Sequence, residues 1–519
     1  MITFVTRLIQ SVKHCNIEQI EMRLIQTIIS LAIIAIAAMG CEKETAPQYV
    51  VAVNSEVICS CDEQVVEIRY TVDERYRGEV SATVDYAADW IEAIEATEPN
   101  IIRVSVMENL GYDSRTTDIT LNVAGHSTQT LRFMQYGVPP TEATHTLMYI
   151  FLGTSLSRYY DTNIEDAKKA IEMGILGNSN RILYFRQKSK NIGYINEIYY
   201  DFAKGKCAER NIVEEISMNA YESMTMQFSQ ILSKMANEAP AKRYGLVLGG
   251  HGQGWITREI LAGTSSVSAL SSPLEGDVWA PAAGAEVTRA YGEDNVRMDI
   301  TELSEGITSS GVELDYILFD ACFMSNIEAI YDLRDCANYI IASPCEIMGK
   351  GFPYERTLPY LFVDGGKRTD YILAAESYYL YYRDEYSSSY RCGSIAVIDC
   401  NEVTALAEAT AEVVATAKSD YDASKLQTYE GQRTHHFYDF GQWTNVVATD
   451  NEALSRYNDQ LARCIVAKYT LPTFYSAYGT YGTYSINEEV YSGITTSAPS
   501  QAYPKWWKET NWYKSVWKQ

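Results

Sequence analysis

The chain has 519 residues, 67 of them acidic against 43 basic, for a formal net charge of −24. So acidic a chain cannot neutralise phosphates, which excludes nucleic acid as a partner. Apolar and aromatic residues make up 46%, ample for large cores, and the length implies roughly two to three domains. Forty tyrosines suggest an aromatic, wet surface suited to extended polymers, although tyrosine is also ordinary core material.

At the N-terminus, Met22-Arg23 precede an apolar run from Leu24 to Ala38, which ends at Met39-Gly40-Cys41. The run is about 15 residues, short of the ~20 that a spanning helix needs. It resembles a lipoprotein signal, which implies cleavage before Cys41, lipid on the Cys41 sulfur and a true start at Met22. Residues 1–41 are then leader and signal; an uncleaved N-terminal anchor is the other reading. Glu42-Lys43-Glu44 resembles the acidic surface-export signals of Bacteroidota lipoproteins. That implies an outer-membrane lipoprotein at the cell surface or periplasmic face.

From 46 to 137 the pattern has period two, in the runs Val65–Thr71, Ile101–Val106, Thr117–Val123 and Thr130–Met134. This predicts a small all-β sandwich. Asp89-Trp90-Ile91, Asn109, Arg115 and a last strand ending Gln135-Tyr136-Gly137 resemble the BACON domain of Bacteroidota surface proteins. The resemblance implies glycan or mucin contact, or a plain spacer, with Trp90 a core plug rather than a sugar platform. Pro139-Pro140 mark a linker over 138–144.

Residues 145–400 alternate strand and helix. Strands are predicted at His145–Leu152, Arg181–Arg186, Ala337–Ala342 and Gly393–Asp399. Helices are predicted at Asn163–Met173, over most of Ile212–Ala236, at Asp299–Ser309 and at Asp370–Arg383. Two apolar runs too short for helices end abruptly on reactive side chains: Tyr244–Gly249 leads to His251, and Tyr316–Phe319 leads to Asp320-Ala321-Cys322. Buried parallel strands deliver residues to the carboxyl edge of an α/β sheet in this way. An imidazole and a thiol so delivered are the minimum for covalent cysteine catalysis. Cys322 would be the nucleophile and His251 the base and then the acid, with the Gly252 and Cys322 N–H groups forming an oxyanion hole. Ser325 and Glu328 read as a capping box, with Ile327, Ile330 and Leu333 on the apolar face. A helix starting about one turn after Cys322 would favour a thiolate. Gly249–Gly254 is not a phosphate loop, because it lacks both G-x-G-x-x-G and a P-loop Lys.

These two motifs resemble the clostripain family of cysteine peptidases, which shares a clan with caspases and gingipains. His251-Gly252 and Asp320-Ala321-Cys322 carry the resemblance, which is strong over 243–354 and thin after about 400. It implies an α/β caspase–hemoglobinase-like fold with a mostly parallel sheet flanked by helices, to which 401–519 adds the C-terminal part of the peptidase region. That part reads as a helix at Glu402–Ala417 and an aromatic tail with Trp506, Trp507, Trp512 and Trp517. The resemblance further implies hydrolysis of protein or peptide substrates without a cofactor in the chemistry, with calcium as a family trait. The stretch 256–297, rich in Gly, Ala, Ser and Pro, is either a passive insert or the site where relatives are activated by cleavage after a basic residue. Arg258, Arg289 and Arg297 are the basic residues available there. Relatives bind basic P1 side chains between two acids. Asp320 matches one; the other falls on Lys350, which would weaken that preference unless Glu346 turns inward.

Of eleven cysteines, removal of Cys15 and Cys41 leaves nine, with neither tidy pairing nor metal-ligand spacing. Few or no disulfides are expected, and no metal. Cys59 and Cys61 would share a strand face as free thiols rather than a metal clip. The competing function, from another class, is a surface carbohydrate- or protein-binding lipoprotein whose peptidase-like domain is inactive or secondary.

Overall fold

The computed structural model describes residues 49–111, 113–123, 127–139, 142–177, 179–218, 223–265, 284–289, 297–362, 368–500 and 502–517. The expected leader and Cys41 lie outside the described residues, as does much of the 256–297 stretch. The chain divides into two compact units. One takes residues up to 55 with 65–106 and 118–132; the other takes 56–64, 107–117 and 133–519.

The smaller unit is all β. Val50–Ala52, Gln64–Val72, Ile101–Val106 and Ile91–Glu98 form one sheet in that order, and Val80 to Val84 pair antiparallel with Val123 to Ile119. Alternation places Ile102, Val104, Val106, Ile119 and Leu121 fully inside. Trp90 joins that core at 7% exposure.

The larger unit is a three-layer α/β/α sandwich. Its strands are β1 (Ala143–Phe151), β2 (Asn180–Ser189), β3 (Ile192–Asp201), β4 (Lys206–Ser217), β5 (Ala241–Gly249), β6 (Leu314–Asp320), β7 (Ala337–Ala342), β8 (Ile395–Asp399) and β9 (Ile465–Tyr469). They lie in the order β4-β3-β2-β1-β5-β6-β7-β8-β9. The five central strands are parallel, and an antiparallel pair extends each side. The central strands are apolar throughout because helices cover both faces. Met148, Ile150, Leu246, Leu248, Ile317 and Phe319 face one core; Leu147, Tyr149, Phe151, Val247, Tyr316 and Leu318 face the other. Removing such a side chain from water contributes about 1.5–3 kcal/mol, so Leu246→Ala would cost about 2–5 kcal/mol.

Helices Met224–Glu238, Ile300–Ser310, Ile327–Leu333 and Val403–Val414 cover the first face; Ser157–Glu172, Tyr354–Leu361 and Arg368–Asp384 cover the second. Asp299 and Glu302 cap Ile300–Ser310 reciprocally. Three expectations need correction. Ile212–Ser217 is not helical but the end of β4, which forms an antiparallel ladder with the unassigned β3. The helix after Cys322 is capped by Asn326, whose side chain accepts from the Ala329 N–H; Ser325 instead donates to Gly493 O and Glu328 accepts from Thr496 and Ser497. The tyrosines are in large part internal: Tyr149, Tyr160, Tyr316, Tyr354, Tyr378 and Tyr382 are under 2% exposed.

Residues after 400 are woven into the same unit. Val403–Val414 sits on the first face, β9 closes the sheet, and Trp512 is fully buried in the first core. All nine cysteines of the described residues are free thiols. Cys59 ends a strand in the interior, whereas Cys61 lies in the turn beyond it.

Candidate active site

β5 and β6 are adjacent and parallel, with Gly249 opposite Asp320. Each strand ends there, so His251 and Cys322, each two residues further on, leave the same sheet edge in phase. The loops touch at Gly252: a Cβ there would stand 2.2 Å from Cys322 O and 2.9 Å from Cys322 N. Phe323, just after the cysteine, takes a left-handed φ of 59°, a conformation that costs a non-glycine residue about 1–3 kcal/mol. The ring of Phe437, stacked on Phe323 at 4.7 Å, holds it there.

His251 Nε2 lies 3.0 Å from Ser155 Oγ. Burial, then the charges of Arg289 and Arg297, press its pKa down to about 4, so the imidazole is a neutral base at physiological pH. Cys322 is fully buried, and its Sγ accepts the Ile347 N–H at 3.3 Å. Burial, followed by the nearby Glu346 charge, pushes the thiol well above its usual range. The short helix beginning at Ile327 does not offset this, so the expected thiolate is not the state of this cleft.

The reason is the segment 286–289, which fills the cleft as an extended peptide. Gly349 N–H donates to Val287 O at 2.6 Å, Thr288 bridges antiparallel to Met348, and Arg289 N–H donates to Ile347 O at 2.8 Å. The Cys322 N–H, the expected oxyanion donor, donates to the Arg289 carbonyl at 2.8 Å. The Arg289 side chain is 0% exposed. Its Nη1 meets Asp320 Oδ2 at 2.7 Å and Asp320 O at 3.5 Å. Nη2 donates to Asn163 Oδ1 at 2.7 Å and Lys350 O at 3.0 Å, and Nε to Gly349 O at 3.0 Å. These acceptors match the planar fork of a guanidinium, which a lysine could not use in full. Tyr354 Oη donates to Asp320 Oδ2 at 2.7 Å. Burial raises the Asp320 pKa, and the Arg289 cation counters that. Gly351 forms the wall: its φ is +72°, and a Cβ there would lie 2.4 Å from both Arg289 Cζ and Asp320 Oδ1.

Of the three arginines singled out from sequence, Arg289 occupies the cleft. Arg258 starts its own helix and pairs with Glu302, and Arg297 is half-buried. Lys350 does not set its ammonium beside Asp320. Its Nζ lies 3.9 Å from Asp166 and over the Tyr381 ring, and only its carbonyl meets Arg289. Glu346 does turn inward, 0% exposed, but toward Thr288 rather than Arg289. Sequence reasoning missed Asn163, Thr288, Gly351 and Tyr354. Asn163 carried a signal, since it is a polar residue three positions from Tyr160 on the buried face of its helix. Among the described residues no group of three metal-ligating side chains forms, and no helix is long and apolar enough to cross a membrane.

A main-chain N–H beside a strand-end sulfur, with a peptide carbonyl already resting on it, is the arrangement that acyl transfer to cysteine requires, and the class is that of a cysteine-type endopeptidase. The Clostripain family profile matches residues 274–506, which include Cys322 but not His251. A secreted C11 cysteine protease of Bacteroides thetaiotaomicron, iotapain, is 29% identical, covering 73% of this chain and 100% of its own, with a TM-score of 0.61. An inactive zymogen C11 protease of Parabacteroides distasonis is 27% identical over 73% of this chain and 99% of its own, with a TM-score of 0.58. A second secreted C11 protease of B. thetaiotaomicron, in complex with an irreversible peptide inhibitor, is 23% identical over 72% and 99%, with a TM-score of 0.58, and shares the fold. No curated protein matches the chain. Over residues 274–506 the chain is similar to the clostripain (C11) family of cysteine peptidases, and it shares the fold of these C11 proteases.

Proposed function

We propose that His251 and Cys322 are the catalytic dyad of an endopeptidase that cleaves after arginine, and that its own Arg289–Ala290 bond is the first it cuts. The observation that carries this is the Arg289 carbonyl on the Cys322 N–H, with the Arg289 guanidinium on Asp320 below it. His251 takes the Cys322 proton and the sulfur attacks the Arg289 carbonyl carbon. The carbonyl oxygen takes up the negative charge against the Cys322 N–H, with the Gly252 N–H as second donor. Collapse of this adduct expels the Ala290 amine, protonated by the imidazolium. Water, deprotonated by His251, then hydrolyses the thioester and frees the Arg289 carboxylate.

Wild type and Cys322→Ala, purified and compared by intact mass and N-terminal sequencing, test this. Wild type should give a new N-terminus at Ala290, and the variant should stay whole. A cut elsewhere, or cutting by the variant, would overturn the assignment. Lipid on Cys41 would hold the enzyme at the outer membrane, facing protein and peptide substrates. Cys41→Ser should then abolish lipid incorporation and leave peptidase activity unchanged. The BACON-like unit would serve as spacer or glycan contact, and the inward position of Trp90 favours the spacer.

A further inference from the structure

Thr288, the residue before the arginine, is 3% exposed, and its Oγ1 donates to Glu346 Oε2 at 2.6 Å. Ser476 Oγ and the Ala477 N–H also donate to Glu346, the latter 3.0 Å from both oxygens. Among the described residues no basic side chain pairs with this carboxylate, which is 0% exposed. In its ionised form it is an acceptor-only group held by neutral donors. Burial first raises its pKa, to about 7, as expected of a carboxylate that lacks a counter-ion. When the 286–289 segment leaves, Oε2 loses the Thr288 hydroxyl and faces the position of the second side chain.

We infer that Glu346 selects the residue preceding the scissile arginine, so that preferred substrates carry a β-hydroxyl there: Thr-Arg or Ser-Arg before the cut bond. This deepens the arginine reading and rests on it. Valine has the shape of threonine but no donor, and leaves a buried acceptor unmatched. An acidic residue brings a second negative charge. A lysine must thread a long side chain into a space that Thr288 fills, closed by Ser476 and Ala477. The expected discrimination for Thr over Val at this position is about tenfold or more in kcat/KM.

The test measures kcat/KM of processed enzyme on matched peptides ending in Arg, with Thr, Ser, Val, Lys or Asp before it. Thr and Ser should lead, Val should trail by about tenfold or more, and Asp should be poorest. Glu346→Leu should reverse the order of Thr and Val, which loss of structure alone would not do. If that variant does not fold, Thr288→Val in the otherwise native chain should process itself about tenfold more slowly. Equal rates for Thr and Val in wild type, or a preference for Lys, would overturn this inference alone. Failure to cleave any of the Arg peptides would instead overturn the arginine reading beneath it.

Discussion

Replacing Arg289 by alanine in the Cys322→Ala background isolates the hold of the cleft on its own segment. The buried Arg289–Asp320 pair is 2.7 Å long with both side chains at 0% exposure. Removing one partner of such a pair costs about 3–5 kcal/mol, because the other charge stays buried. Three main-chain bonds survive the substitution, from Gly349, Arg289 and Cys322, each with a net contribution of about 0.5–1.5 kcal/mol. The arginine is thus the largest single anchor. The uncut double variant should release the segment and open the cleft to an added peptide. A fluorescent Val-Thr-Arg peptide, followed by anisotropy, should bind the double variant at least ~10² more tightly than Cys322→Ala alone, since 1.4 kcal/mol is about tenfold. Equal affinities within about threefold would mean that the side chain does not hold the segment, and the reasoning from pair burial would be refuted.

Further expectations concern the dyad, the pocket and pH. Cys322→Ala should abolish peptide hydrolysis and His251→Ala lower it by several orders of magnitude; near wild-type turnover by either sinks the dyad. Asn163→Ala should reduce kcat/KM for P1 arginine by about tenfold more than for P1 lysine, because it removes an acceptor that the guanidinium fork uses; an unchanged Arg/Lys ratio contradicts this. Lys350→Ala should alter P1 arginine cleavage by less than about threefold, in keeping with a partly exposed contact. His251 is depressed from 6.5 to about 4 in the uncut chain. Its half-buried neutral form therefore contributes stability above about pH 6.5 that is lost as pH falls through about 4. An NMR titration of uncut Cys322→Ala should place the midpoint near 4, and a midpoint near 6.5 would contradict the burial argument.

The strands that deliver His251 and Cys322 were legible because they are central. β5 and β6 are covered on both faces, so their sequences read as unbroken apolar runs, and each run stops where the sheet does. β3 and β4 lie at one edge, where partial burial blurs the alternation. In β4, Ile212, Val213 and Ile216 also fit helical spacing, and the local pattern could not separate the two. The Cys322 environment was not legible, since it depends on a segment some thirty residues upstream folding back across it. Lys350 was misplaced for a backbone reason. Gly351 takes a left-handed turn, with its N–H on Met348 O, and presents the Lys350 carbonyl, not its ammonium, to the pocket. The tyrosines were misjudged by composition alone: their rings fill the second core while hydroxyls such as Tyr382 Oη, on Gly351 O, brace the pocket wall.

The seam between β5 and β6 gives a cut after Arg289 an unusual outcome. Residues up to 289 bring β1 to β5 and His251; those beyond bring β6 to β9 and Cys322. The ladder from Tyr244–Leu314 to Gly249–Asp320 crosses between the two polypeptides, and both cores draw side chains from each. The product of such a cut would be an obligate two-chain enzyme clasped without a covalent bond among the described residues. Its halves would travel together through native chromatography and part only in denaturant, and neither half would turn over substrate by itself.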